Sequence, residues 1–169
     1  MKKNKLGFTL VELLAVVLII GILTSIGLPQ YRRSVSRAEA MEAMVNLRTI
    51  FDSARRFRAT NSESPKRLRG LDVSFFDATD EDSDAFGIGR FKYLFQKDQI
   101  MACRINGNYC FHMYYTRSFE YKTEKGEHII RKNSKGDLFC TIDPGGKYDW
   151  ICDALGTGIL PDNEWIIDR

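Results

Sequence analysis

The chain has 169 residues, with 25 lysines and arginines against 22 aspartates and glutamates, 44% hydrophobic residues and a formal net charge of +3. That length holds one small domain with an accessory segment, and the near balance of charge makes no case for a nucleic-acid partner held by the overall field. No nucleophile elbow, phosphate loop or metal-spaced cluster appears, so neither an enzyme nor a cofactor or metal site is expected.

The first thirty residues carry the strongest signal. A basic leader, Met1 to Gly7, is followed by Phe8-Thr9-Leu10-Val11-Glu12 and then by apolar residues to Leu28 and Pro29. A secretory signal peptide needs a small-residue cleavage step after the apolar run, but the chain there reads Pro29-Gln-Tyr-Arg-Arg33. A plain anchor fits by length, since Phe8 to Leu28 approaches the roughly 20 apolar residues that span a bilayer. Glu12 is what such an anchor does not need, because intramembrane carboxylates are rare and usually partnered.

Lys5-Leu6-Gly7 followed by Phe8-Thr-Leu-Val-Glu12-Leu-Leu14 resembles the type III signal of type IV prepilins and of the pseudopilins of type II secretion, and Gly21, Pro29 and Tyr31 continue the likeness. It covers about residues 1–50. It implies that a prepilin peptidase cuts between Gly7 and Phe8 and methylates the new amine of Phe8. Removing the seven-residue leader from 169 residues would leave 162, and the leader's Lys2, Lys3 and Lys5 account for the whole net charge. Those lysines suit a cytoplasmic N-terminus under the positive-inside rule, with everything after Pro29 exported.

Glu12 has a physical role beside the resemblance. After cleavage the obvious opposite charge at its depth is the Phe8 amine, aided by the helix N-terminus. In a filament the Glu12 of one subunit meets the Phe8 amine of its neighbour, and both are neutralised in a low-dielectric core. The alternative is a carboxylate that stays protonated or snorkels within the monomer. Gly7, Gly21, Gly27, Ala15 and Ser25 leave few obstacles to close helix contact.

Beyond Tyr31 the spacing of Ala40, Met44, Leu47, Phe51 and Ala54, widened by Ala43, Ile50 and Phe57, predicts an amphipathic helix to Asn61. Pro29, with Gly27 nearby, is expected to kink or locally melt it. Arg32, Arg33, Arg37, Arg48, Arg55, Arg56 and Arg58 form the other face. It reads as solvated, or as contacting headgroups near Arg32 and Arg33 or acidic surfaces of neighbours. A loop follows over 62–89, basic and then acidic; its Asp80, Asp82 and Asp84 resemble a calcium loop but lack the required Gly and Glu, which stand as Ala85 and Phe91.

From about residue 90 the character is β. Phe91–Gln96, Gln99–Ile105, Tyr109–Thr116, Phe119–Thr123 and Glu127–Lys132 alternate with turn signals, of which Asn106-Gly107 is the clearest. Short connections predict an antiparallel sheet covered by the Leu47 and Phe51 stripe. Cys103, Cys110, Cys140 and Cys152 all lie in the exported part, where an even count argues for disulfides with three pairings open. Cys103 and Cys110 flank the Asn106-Gly107 turn and Cys140 and Cys152 enclose Pro144-Gly-Gly146, so nearest pairing, Cys103–Cys110 and Cys140–Cys152, is favoured. The spacings suit zinc poorly, and His112 and His128 lie in strand-like segments. The Cys140 to Cys152 loop also resembles the C-terminal disulfide-bounded region of many pilins.

The expected fold class is therefore α+β and pilin-like: a long N-terminal helix packed on a C-terminal antiparallel sheet. Its parts are a cleaved leader (1–7), a transmembrane and filament-core helix (8–28), its amphipathic continuation (29–61), a loop (62–89) and a sheet with a disulfide-bounded region (90–169). The resemblance implies a pilus subunit whose partners are copies of itself, prepilin peptidase, the pilus assembly machinery and, before assembly, membrane lipid. It implies single-pass insertion in the inner membrane and then an extracellular pilus. A type II secretion pseudopilin is the alternative, and a membrane-tethered binding domain that never polymerises is a third.

Overall fold

The computed structural model describes residues 9–115, 117–122, 128–133, 136–143, 145–155, 158–160 and 164–167, with side-chain surroundings for 9–115, 136–143 and 145–155. The chain divides into two compact units, Met1–Glu39 and Ala40–Arg169. Helix α1, Leu10–Asn61, contributes to both.

In the first unit no described residue is buried. The hydroxyl of Ser25, the one polar side chain between Glu12 and Gln30 apart from Thr24, donates to the carbonyl of Ile22 at 2.7 Å, so it is satisfied without a partner outside the helix. The helix runs without interruption through Gly27 and Pro29, so local melting there is not seen. Proline lacks only a donor and clashes with one carbonyl a turn back, and the flanking turns keep their own bonds.

In the second unit α1 buries Ala40, Ala43, Leu47, Ile50, Phe51, Ser53 and Ala54. The buried stripe is centred on the Ala43 and Ile50 side of the expected one, and Met44 is only partly buried at its edge. Small Ala40, Ala43 and Ala54 let the backbone approach the sheet, where the Tyr93 hydroxyl donates to the Ala43 carbonyl at 3.4 Å. The helix ends where Ser62 takes a φ of 57° and its N–H bonds the Arg58 carbonyl at 2.9 Å.

The strands are β1 (Ala85–Ile88), β2 (Phe91–Phe95), β3 (Gln99–Arg104), β4 (Tyr109–Tyr114), β5 (Arg117–Lys122), β6 (His128–Asn133), β7 (Leu138–Ile142), β8 (Gly158–Leu160) and β9 (Glu164–Ile167), with a short helix α2 (Trp150–Leu155). Seven of them form one antiparallel sheet in the order β1-β2-β3-β4-β7-β9-β8. Register places Tyr93 beside Ala102, Ala102 beside Phe111 and Phe111 beside Cys140, a buried row that runs across four strands toward α1. Phe51 stacks on Tyr115 with ring centroids 5.2 Å apart, and Phe86 on Tyr93 at 5.4 Å. Together these residues make one α+β core.

Three features depart from the expected layout. The sheet begins at Ala85, inside the expected loop, because β1 has only four residues and gains its place by pairing with β2 and by a bridge from Thr79 to Gly87. β5 and β6 leave the main ladder and pair only as a separate two-stranded sheet, so β4 lies directly against β7. The C-terminal region adds β7, α2, β8 and β9, which no alternating pattern announced.

Candidate functional site: the N-terminal helix

Thr9 and Glu12 build the start of α1. The Thr9 N–H donates to the Glu12 carboxylate at 2.8 Å, the Thr9 hydroxyl donates to the same oxygen at 2.8 Å, and the Glu12 N–H reaches back to the Thr9 hydroxyl at 3.3 Å. This reciprocal capping box satisfies donors that the first turn of any helix leaves open. The Thr-x-x-Glu spacing was readable in the sequence, and Thr9 is the residue that the sequence reading passed over. Gly7 and Phe8 lie outside the described residues, so the cut and the amine that would face Glu12 are not described.

From Leu10 to Leu28 the large apolar side chains are 45–78% exposed on every side of the helix. A helix apolar all round seeks lipid or other helices, and this one is long and apolar enough to cross a membrane. Cβ atoms built on Gly21 and Gly27 would meet nothing within 4 Å, so both positions are open to close approach by another chain. Arg32, Arg33 and Arg37 follow on exposed positions.

Three further arginines of the expected basic face, Arg55, Arg56 and Arg58, contact other residues of the second unit. Arg56 makes a bidentate contact with Asp72 at 2.8 and 2.9 Å, and the Asp72 carboxylate also accepts from the Ser53 hydroxyl. These hydrogen bonds, Arg56 first, hold the Asp72 carboxyl down at about 2. Arg58 lies 4.1 Å over the Tyr115 ring, and Arg55 approaches Asp52 at 4.0 Å. Asp82 is engaged by Arg69 at 2.7 Å, and among the described residues no group of three or more His, Cys, Asp or Glu is placed to hold a metal.

The structure contains the disulfides Cys103–Cys110 and Cys140–Cys152, with Cα separations of 4.1 and 5.6 Å. Cys103 and Cys110 are direct cross-strand partners in the β3–β4 hairpin. Asn108 ties that hairpin to the second disulfide loop: its side chain donates to the Asp143 carbonyl at 2.8 Å and accepts from the Tyr148 N–H at 3.1 Å, and its own carbonyl accepts from the Asp143 N–H at 2.8 Å. Asp149 accepts from the N–H groups of Gly145 and Gly146 at 2.9 and 3.0 Å. Gly145 has a φ of 90°, and a Cβ on Gly146 would collide with the Asn108 side chain, so both positions call for glycine. No sequence spacing announced Asn108 as this hub. Elsewhere an open groove beyond the end of α1 is lined by Arg58, Ser64, Pro65, Phe95 and Lys97, with no convergent catalytic set.

Residues 2–28 match the family described as the prokaryotic N-terminal methylation motif. The chain carries this methylation motif at its N-terminus. Similar proteins agree: a fimbrial protein of Moraxella nonliquefaciens is 36% identical over 52% of this chain and 49% of its own length. The type IV major pilin protein PilA of Myxococcus xanthus is 41% identical over 30% of this chain and 23% of its own. A type II secretion system core protein G of Aeromonas hydrophila is 28% identical over 43% of this chain and 50% of its own. The chain thus spans about half or less of the curated relatives it matches, and no solved structure matches it. The methylation motif covers Gly7, Phe8, Thr9 and Glu12 together, so the capping box lies inside it.

Proposed function

We propose that this chain is a structural subunit of a type IV pilus, cut between Gly7 and Phe8, methylated on Phe8 and polymerised through α1. The observation that carries the reading is one helix that combines the methylation motif with an all-round exposed apolar surface and a carboxylate at its start. Its partners are then prepilin peptidase, lipid of the inner membrane, the assembly machinery and other copies of itself. The subunit starts with its N-terminus in the cytoplasm and ends in an extracellular filament whose core is the 8–28 helix, bent at Gly27 and Pro29. Identity to pilins and fimbrial proteins of 36–48%, against 28% to the secretion protein, favours a pilus over a pseudopilus.

The test separates the charge of Glu12 from its role as a cap. Glutamine is accepted at the third position of a capping box, so Glu12→Gln leaves the helix start intact and removes only the charge. Processed Glu12→Gln subunit is expected at normal level in the membrane, with few or no filaments by electron microscopy and partial rescue by co-expressed wild type. Thr9→Ala keeps the charge, costs the helix start about 1 kcal/mol, and is expected to reduce filaments far less. Normal filament number from Glu12→Gln alone refutes the assembly role.

A further inference from the structure

The stretch Gln30 to Ala38 contains Arg32, Arg33 and Arg37, and Glu39 is the first acidic side chain after them. All three arginines are exposed on an uninterrupted helix. Arg33 and Arg37 stand one turn apart on one face, with Arg32 about 100° round the axis. Tyr31, 67% exposed, precedes them, as aromatic side chains do at a lipid–water boundary.

Their distance from Glu12 matters as much as their charge. Twenty residues separate Glu12 from Arg32, which is about 30 Å of helix axis at 1.5 Å per residue. The hydrocarbon core of a bilayer is also about 30 Å thick. The helix therefore has a polar group at each boundary: the Thr9–Glu12 box at one, the arginine fan at the other. With the Arg32 Cα at the boundary, its side chain reaches outward to the phosphate plane, where a guanidinium binds phosphate oxygens in bidentate fashion.

We propose that Arg32, Arg33 and Arg37 form a headgroup clamp that binds the phosphates of anionic phospholipid in the leaflet opposite Glu12, and so fixes the depth of the subunit before assembly. This rests on the membrane-inserted stage of the proposed function. The clamp holds Glu12 at the inner boundary, where water and headgroups reach the carboxylate, so the free subunit waits in the bilayer without a buried, unpartnered charge. Leaving for the filament then requires these arginines to exchange lipid phosphate for another surface.

The test uses the full chain with Ser34→Cys carrying a fluorescent label, reconstituted in vesicles of phosphatidylethanolamine and phosphatidylglycerol. Quenching by nitroxides on the headgroup is compared with quenching by nitroxides on the acyl chain. The wild-type background is expected to give a label at headgroup depth. The R32Q/R33Q/R37Q triple substitution is expected to let it sink by about one helical turn, roughly 5 Å, with acyl-chain quenching overtaking headgroup quenching. R48Q/R55Q, whose positions lie outside the fan, should leave the depth unchanged. An inserted label with the same depth in wild type and triple variant overturns the clamp and leaves the membrane reading standing. A label quenched by neither nitroxide overturns both.

Discussion

Removing the second disulfide offers the sharpest measure of what holds the second unit together. Cys140 and Cys152 are both fully buried and are separated by 12 residues in sequence. Closing a loop of that size removes unfolded-chain entropy worth about 3 kcal/mol at 25 °C, and for the seven-residue separation of Cys103 and Cys110 the same relation yields about 2.4 kcal/mol. The hairpin pair is already held by the β3–β4 ladder and is only half-buried, whereas the second bond pins α2 to the interior strand β7. C140A/C152A in the full chain is therefore expected to lose about 3 kcal/mol, and C103A/C110A less. In urea, at an m-value of about 1–3 kcal/mol/M, that moves the midpoint down by roughly 1–3 M. The assay is urea unfolding in detergent followed by near-ultraviolet circular dichroism, with limited proteolysis as a second readout. A shift below about 0.3 M, or a hairpin variant hit as hard as the loop variant, would refute the reasoning.

Gly7→Val is expected to leave full-length precursor in the membrane, because a bulky residue before the cut blocks the peptidase; intact mass reads it, and a wild-type chain that still begins at Met1 sinks the prepilin reading. Asn108→Ala removes the side-chain bonds to Asp143 and Tyr148 that join the two disulfide loops, so protease cleavage around Gly145 and Gly146 should quicken with both disulfides intact. Asp72 gives a pH signature: its folded pKa of about 2 lies below the ordinary value near 3.9, so its ionised form stabilises the fold above about pH 4 and the contribution is lost as pH falls toward 2. The difference in thermal midpoint between wild type and Asp72→Asn should be constant at pH 5–7 and close between about pH 4 and 2.

The parts of this chain set by local pattern were legible in its sequence. The apolar run and the helix periodicity beyond Tyr31 announced α1, and alternation located β2, β3 and β4. What stayed hidden depends on long-range pairing. β5 and β6 read as ordinary strands, but nothing local says that they pair only with each other. β7 is an apolar run, Leu138 to Ile142, whose seat between β4 and β9 is fixed by partners far away in sequence. The helix face was misjudged by the width of one side chain: flexible Met44 tolerates the edge of the sheet, and compact Ala43 takes the centre. At the N-terminus the motif was plain, yet the same carboxylate that suggested a neighbour's amine also closes its own helix through Thr9.

The direct β4–β7 ladder has a consequence for how this surface can vary. Met113 sits opposite Leu138, so the chain leaves the main sheet after β4 and returns to the adjacent position at β7. Everything between, β5 and β6 included, is topologically one long hairpin connection. Changes at its far end, between β5 and β6, leave the register of the seven-stranded ladder as it is, because long loops add closure entropy only slowly. In the filament proposed above, such an excursion would recur once per subunit. A foreign peptide grafted there would then be displayed as a regular, multivalent array, with the disulfide-bound side of the sheet untouched.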